Sequence, residues 1–158
     1  MVMEKETLTA RELEAWNGFR SLVDALAPER LERPGVNAEG WTVKDVLWHI
    51  AHWWDDLSRM LDEMRAGTFV EPPEDDAATD AENARVLEAS RHLSLIDVEH
   101  GVHSARERML AAWGALPTVD PDAEQQFVWE TIEHYEEHLP DLQRFVAGSG
   151  APAERDQR

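Results

Sequence analysis

The chain has 158 residues, 42% of them apolar, which suits one compact domain that buries most of the surface its unfolded form would expose. Fifteen basic residues against thirty-three acidic ones leave a formal charge of −18, which repels nucleic-acid backbones and anionic membrane surfaces and argues against either as a partner. Cysteine is absent, which excludes disulfides, thiolate nucleophiles, Cys-ligated zinc and iron–sulfur clusters, and leaves His and carboxylate as metal ligands in a reducing, cytoplasmic setting.

No apolar run approaches about 18 residues, and Met1-Val2-Met3-Glu4-Lys5-Glu6 lacks the basic-then-apolar order of a signal peptide, so no membrane association is expected. The whole chain, 1–158, is expected to form one domain, with residues 1–8 and 148–158 frayed. Thr9 and Glu12 have capping-box spacing, and Leu13, Trp16, Phe19, Val23 and Leu26 recur at three- and four-residue steps. That pattern predicts a first amphipathic helix ending near Pro28. Pro34 to Gly40 is turn chemistry, after which Thr42 with Asp45 restarts a helix that should run to Ala66, with Gly67 past its end.

At about 100° per residue, the stripe of this second helix is Val43, Val46, Leu47, Ile50, Trp54, Leu57, Leu61 and Met64. His49 falls at the margin of that stripe, whereas His52 points toward solvent. Gly67 to about Thr79 is an acidic connection broken by Pro72-Pro73. A short helix over Asp80–His92 follows, with His92 at its cationic-friendly end. Ser94 and Asp97 then resemble an N-cap before the stripe of Leu95, Val98, Val102, Ala105, Met109, Trp113 and Leu116, off which His100 and His103 lie. The last helix should span Pro121 to Ala147 with Val128, Ile132, Tyr135, Leu139, Leu142 and Val146 facing the core, and with His134, His138 and Glu130 along one margin.

His134 and His138, four residues apart, share a helix face about 5–6 Å apart at Cβ, within reach of one transition-metal ion. His49, at the edge of a second buried stripe, supplies the third protein ligand that catalytic zinc sites use. The zincin motif is excluded, because Tyr135 stands where its catalytic Glu belongs. Glu130, one turn before His134, is a candidate general base or fourth ligand, and Asp45 is a candidate to orient His49 through its second nitrogen. Trp48, Trp53, Trp54 and Trp129 are candidate pocket walls. Ser58 and Ser104 have no base partnered by spacing, and neither a nucleophile elbow nor a phosphate-binding loop is present.

The stretch Trp41-Thr42-Val43-Lys44-Asp45-Val46-Leu47-Trp48-His49, taken with His134-Tyr135-Glu136-Glu137-His138, resembles the DinB/YfiT-like superfamily. That superfamily includes bacillithiol and mycothiol S-transferases and mycothiol-dependent maleylpyruvate isomerases. The resemblance implies an all-α, up-down-down-up four-helix bundle with a long crossover between its second and third helices, forming a homodimer as relatives often do. It also implies a divalent metal, Zn or Ni, on His49, His134 and His138. The activity implied is thiol S-transfer or hydrolysis, in which a metal-activated thiol, such as mycothiol or bacillithiol, or water attacks a small electrophilic substrate, as in detoxification. The alternative is a non-catalytic metal-binding or small-molecule-sequestering bundle of a stress response.

Overall fold

A computed structural model describes residues 1–148, all of whose regular elements are helical. In chain order these are α1 (Lys5–Asp24), α2 (Pro28–Leu31), α3 (Val43–Ala66), α4 (Asp76–Arg91), α5 (Leu95–Ala115), α6 (Pro121–Val128), a π-helical segment (Trp129–Glu133) and α7 (His134–Ala147). Beyond Gly148, the tail expected to fray lies outside the described residues.

The second helix begins and ends where its cap residues require. Thr42 and Asp45 form a reciprocal capping box, and Gly67, with φ +75, closes α3 in the left-handed conformation that only glycine adopts without strain. Ser94 accepts from the Asp97 amide to open α5, and Asp120 accepts from that of Ala123 to open α6. The short crossover helix starts earlier than its expected Asp80, at Asp76, because the Asp75 side chain accepts from the Ala78 amide.

The first helix differs more. It starts at Lys5, with Leu8 fully buried and the Met3 amide donating to Glu124 at 2.8 Å, so the second half of the segment expected to fray up to residue 8 is helix. Thr9 is no cap: its hydroxyl donates to the Lys5 carbonyl and accepts from the Trp113 indole at 2.9 Å. Glu12 is 0% exposed and Leu13 is 50% exposed, the reverse of the apolar-in rule. The reason is Arg106 of α5, which grips Glu12 through both guanidinium arms and so satisfies a carboxylate that could not otherwise be buried.

Helix pairing is read from contacts at successive levels. From α3, the Lys44 ammonium donates to the carbonyl of Leu93, just ahead of α5, while Trp48 lies over Gly101 and Asp55 pairs with Arg108 on α5 itself. Between α1 and α5, Lys5 reaches the Gly114 carbonyl, Thr9 meets Trp113, Glu12 meets Arg106 and Arg20 meets Glu99. The last helix meets α1 at Glu12–Tyr135 and α3 at His49–His134 and Trp54–Tyr135. Enclosed among these helices are Trp16, Phe19, Leu47, Ile50, Trp54 and Met109, the centre of one apolar cluster.

The last helix, expected as one run from Pro121 to Ala147, is not continuous. Five residues, Trp129 to Glu133, wind as a π-helix between α6 and α7. Before them the buried residues are Ala123, Gln126 and Phe127; after them they are His134, Tyr135 and Leu142. At about 100° per residue those two faces stand roughly one residue out of phase, and the wider π turn absorbs the step. Val128 and Leu139, expected on the core stripe, are consequently only half-buried.

Two glycines provide a test of this packing. A Cβ on Gly101 would sit 2.4 Å from the Trp48 ring, whereas one on Gly18, in the exposed middle of α1, would meet nothing within 4 Å. Gly101→Ala should destabilise by about 1–3 kcal/mol through overpacking, and Gly18→Ala should stabilise by about 0.5–1 kcal/mol through lost unfolded-chain entropy. Urea unfolding followed by circular dichroism measures both.

Candidate metal centre

His49 lies in the second turn of α3, whose start is fixed by the Thr42–Asp45 capping box. His134 opens α7 immediately after the π segment, and His138 follows one turn later. Trp41 packs edge-on against the His49 ring at 5.1 Å between centroids. The three imidazoles then form a triangle, with ring centroids 4.9 Å apart for His49–His134, 5.0 Å for His49–His138 and 4.9 Å for His134–His138.

One nitrogen from each ring lies within 4.8 Å of the other two, and Nε2 of His49 is 2.9 Å from Nε2 of His134. Two nitrogens bound to one tetrahedral ion at about 2.0–2.1 Å would stand roughly 3.3 Å apart, so little movement separates this arrangement from a ligand set. A hydrogen bond between the two neutral rings would account for that close pair alone. It would leave Nε2 of His138 and Nδ1 of His49 buried without a protein partner. An ion shared by all three rings would satisfy the His138 nitrogen as well, so the donor set fits a divalent metal. Among the described residues the group comprises these histidines and excludes Glu130.

Residues 13–131 match the mycothiol maleylpyruvate isomerase N-terminal domain, a span that holds His49 and Glu130 and stops just before His134. The chain belongs to that family. It is thereby a DinB-like domain, the resemblance its two histidine motifs carry. Neither a curated protein nor a solved structure matches it.

In this member of the family the histidines are held neutral. Burial, reinforced by the rings of His134 and His138, pushes His49 down to about 2. Burial likewise takes His134 down to about 3, with His138 adding to the effect. His138 is lowered by burial against the opposing pull of Glu137 and Asp141. Neutral imidazole is the form that donates a lone pair to a metal. Glu130 moves the other way, up to about 8, because burial and the carboxylates of Asp56 and Glu137 disfavour its anion. Its proton is thus exchangeable near neutral pH, as a general acid–base group requires.

Other expected site residues take different places. Asp45 does not orient His49: one oxygen accepts from the Thr42 amide at 2.8 Å and the other from the Ser90 hydroxyl at 2.6 Å, which ties α4 to the start of α3. His52 is half-buried rather than solvent-facing, its ring 3.0 Å from Glu82 of α4. Trp48 covers Gly101, Trp53 donates to Asn83, and Trp54 is core and donates to the Tyr135 hydroxyl, so these rings join helices rather than wall one pocket. Trp129 is 48% exposed and lines a cleft of about 360 Å³ with Met1, Val2, Glu124 and Glu133, apart from the histidines. Sequence reasoning missed Trp41, whose place just ahead of a capping box that leads to His49 was the available signal.

The depressed histidines link folding to pH. Between their folded values and about 6.5 the unfolded chain binds protons that the folded chain refuses, so stability rises with pH across that window and falls on acidification. Each histidine contributes at most about 1.4 kcal/mol per pH unit. Chelator-treated protein should therefore unfold at lower urea between about pH 7 and about pH 5.5, and His134→Gln/His138→Gln should lose most of that dependence. An unchanged wild-type midpoint would contradict the assignment.

Proposed function

We propose that the chain is a divalent-metal-dependent enzyme in which His49, His134 and His138 hold Zn²⁺ or Ni²⁺ and a thiol or water attacks a small electrophile. The observation that carries this is the buried triangle of neutral imidazoles, in which one nitrogen of each ring lies within 4.8 Å of the other two and Nε2 of His138 has no protein partner. The helix pairings are consistent with an up-down-down-up bundle: contacts between α3 and α5 advance together along both helices, as in a parallel pair, while those between α1 and α5 run in opposite order. The family's name attaches mycothiol to its members, which favours a low-molecular-weight thiol such as mycothiol or bacillithiol over water.

A divalent ion held there supplies Lewis acidity, which lowers the pKa of a nucleophile toward neutrality without any cysteine in the protein. The three imidazoles hold that charge without adding to it, since all are neutral at working pH. Trp41, edge-on to His49, shields that ligand. Glu130, with its proton exchangeable near pH 8, can accept a proton from the attacking group or return one to the departing group. Hydrolysis and thiol transfer use the same residues and differ in the nucleophile admitted.

One observation favours a second reading, a non-catalytic metal-binding or sequestering bundle. The cleft of about 360 Å³ lies beside Trp129 and not at the histidines, two of which are 6% and 8% exposed. Turnover separates the readings. Zinc should bind at about one ion per chain by elemental analysis, and His134→Ala or His138→Ala should abolish it, while His52→Ala retains it. Glu130→Gln should keep the metal and lower thiol-dependent consumption of an electrophile panel by about 100-fold or more. Unaltered turnover in metal-stripped protein would refute the enzyme reading, and absence of thiol- or water-dependent turnover with metal bound would favour the bundle.

A further inference from the structure

Outside the histidine cluster, the polar group that most needs explaining is at the centre of the fold. The Tyr135 hydroxyl donates to Glu12 of α1 at 2.7 Å and accepts from the Trp54 indole of α3 at 2.9 Å. Glu12 in turn holds Arg106 of α5, whose guanidinium lies 5.4 Å from the Trp16 ring centre and 5.7 Å from that of Trp54. One hydroxyl on the last helix is thus tied, directly or through one carboxylate, to α1, α3 and α5. Every member of this network is buried or nearly so, and each hydrogen bond points in one direction only: tyrosine to carboxylate, indole to tyrosine, guanidinium to carboxylate.

Tyr135 follows His134 directly and is three residues before His138. On a helix, fixing the direction of one side chain fixes its neighbours at about 100° per residue, so an anchored Tyr135 leaves the two histidines no freedom to rotate away from His49. The anchor lies just past the π segment, where a helix has the greatest latitude to rewind into α geometry and turn everything after it. An apolar residue at Tyr135 could fill the same space while accepting several rotations; a hydroxyl with a donor on one side and a carboxylate on the other accepts one.

We propose that Tyr135, held by the Glu12–Arg106 pair and Trp54, is the positioning residue of the metal centre, setting the rotation of α7 that brings His134 and His138 onto His49. This rests on the metal reading above and goes beyond it by naming groups that touch neither metal nor substrate. It differs from a purely structural role in that it predicts a change of coordination and not merely a loss of stability.

The test compares Tyr135→Phe with Leu61→Ala, a core truncation on α3 about two turns beyond Trp54 and more than three beyond His49. Zinc affinity is measured by chelator competition, and coordination by the visible absorption of the Co²⁺-loaded protein. Tyr135→Phe should retain the helical circular dichroism of the metal-free chain, lose about 10-fold or more in zinc affinity, and shift the cobalt bands. Leu61→Ala should melt at lower temperature with wild-type zinc affinity and an unshifted spectrum. Should Tyr135→Phe fail to fold, Trp54→Phe, which deletes one donor and keeps an aromatic ring, should show a smaller loss of affinity with the same direction of spectral shift. Wild-type affinity and spectrum in the folded Tyr variant, or in Trp54→Phe where that variant stands in for it, would overturn the proposal. So would a zinc affinity that simply tracks melting temperature across the variants. Failure of the wild-type chain to bind zinc or cobalt would instead remove the metal reading on which it stands.

Discussion

Five residues wound more widely than an α-helix set the geometry of everything that follows them. Upstream of Trp129 the last helix must bury Ala123 and Phe127; downstream it must bury Tyr135 and Leu142 while turning His134 and His138 toward α3. A uniform α-helix cannot do both, since the two faces differ by about one residue of rotation. Unwinding to a π turn sacrifices good hydrogen-bond geometry over one turn, and such segments persist where surrounding packing over-determines them. Here the surroundings include the Thr131 hydroxyl, fully buried and donating to the Phe127 carbonyl one turn back.

The buried Glu12–Arg106 pair belongs to the same constraint. Replacing such a pair with well-packed apolar residues is often neutral or stabilising, so its presence is weak evidence of net stabilisation. Its effect is on alternatives: any rotation of α1 that separated Glu12 from Arg106 would leave a carboxylate uncompensated in the core, at a cost of about 3–5 kcal/mol. An all-helical bundle of Leu, Val and Trp has many near-equivalent rotations, and two buried charges with a tyrosine and an indole on them remove most.

This also explains what could be read in the sequence and what could not. Capping chemistry is local, so Thr42, Gly67, Ser94 and Pro121 marked their helix ends correctly. The histidine motifs were legible because spacing on one helix face is local too, and each histidine lay at the margin of a stripe that periodicity could find. Glu12 was not legible, because its burial depends on an arginine 94 residues away. Leu13 took its place in the apolar pattern by being the nearest hydrophobe. The π segment left no trace either: Val128, Ile132 and Tyr135 follow one another at steps of four and three whether or not the turn widens. Asp45 was misread for a related reason, since sequence spacing offered His49 as a neighbour while the capping box and Ser90 took both its oxygens.

Ligand chemistry and net charge pull toward different metals, and in the proposed site the first prevails. A chain of formal charge −18 accumulates divalent cations near its surface without discriminating among them. Carboxylate clusters would convert that attraction into binding of hard ions such as Mg²⁺ or Ca²⁺, which require oxygen ligands. The histidine triangle instead offers nitrogen donors, with the candidate carboxylate Glu130 outside the group and protonated into the neutral range. Imidazole favours Zn²⁺, Ni²⁺ and their neighbours in the transition series, and three neutral donors leave the ion its full charge with which to polarise a nucleophile. The same burial that makes the cation form of these histidines so unfavourable therefore keeps their lone pairs free, and in the proposed site those lone pairs, rather than the surface field, select the metal.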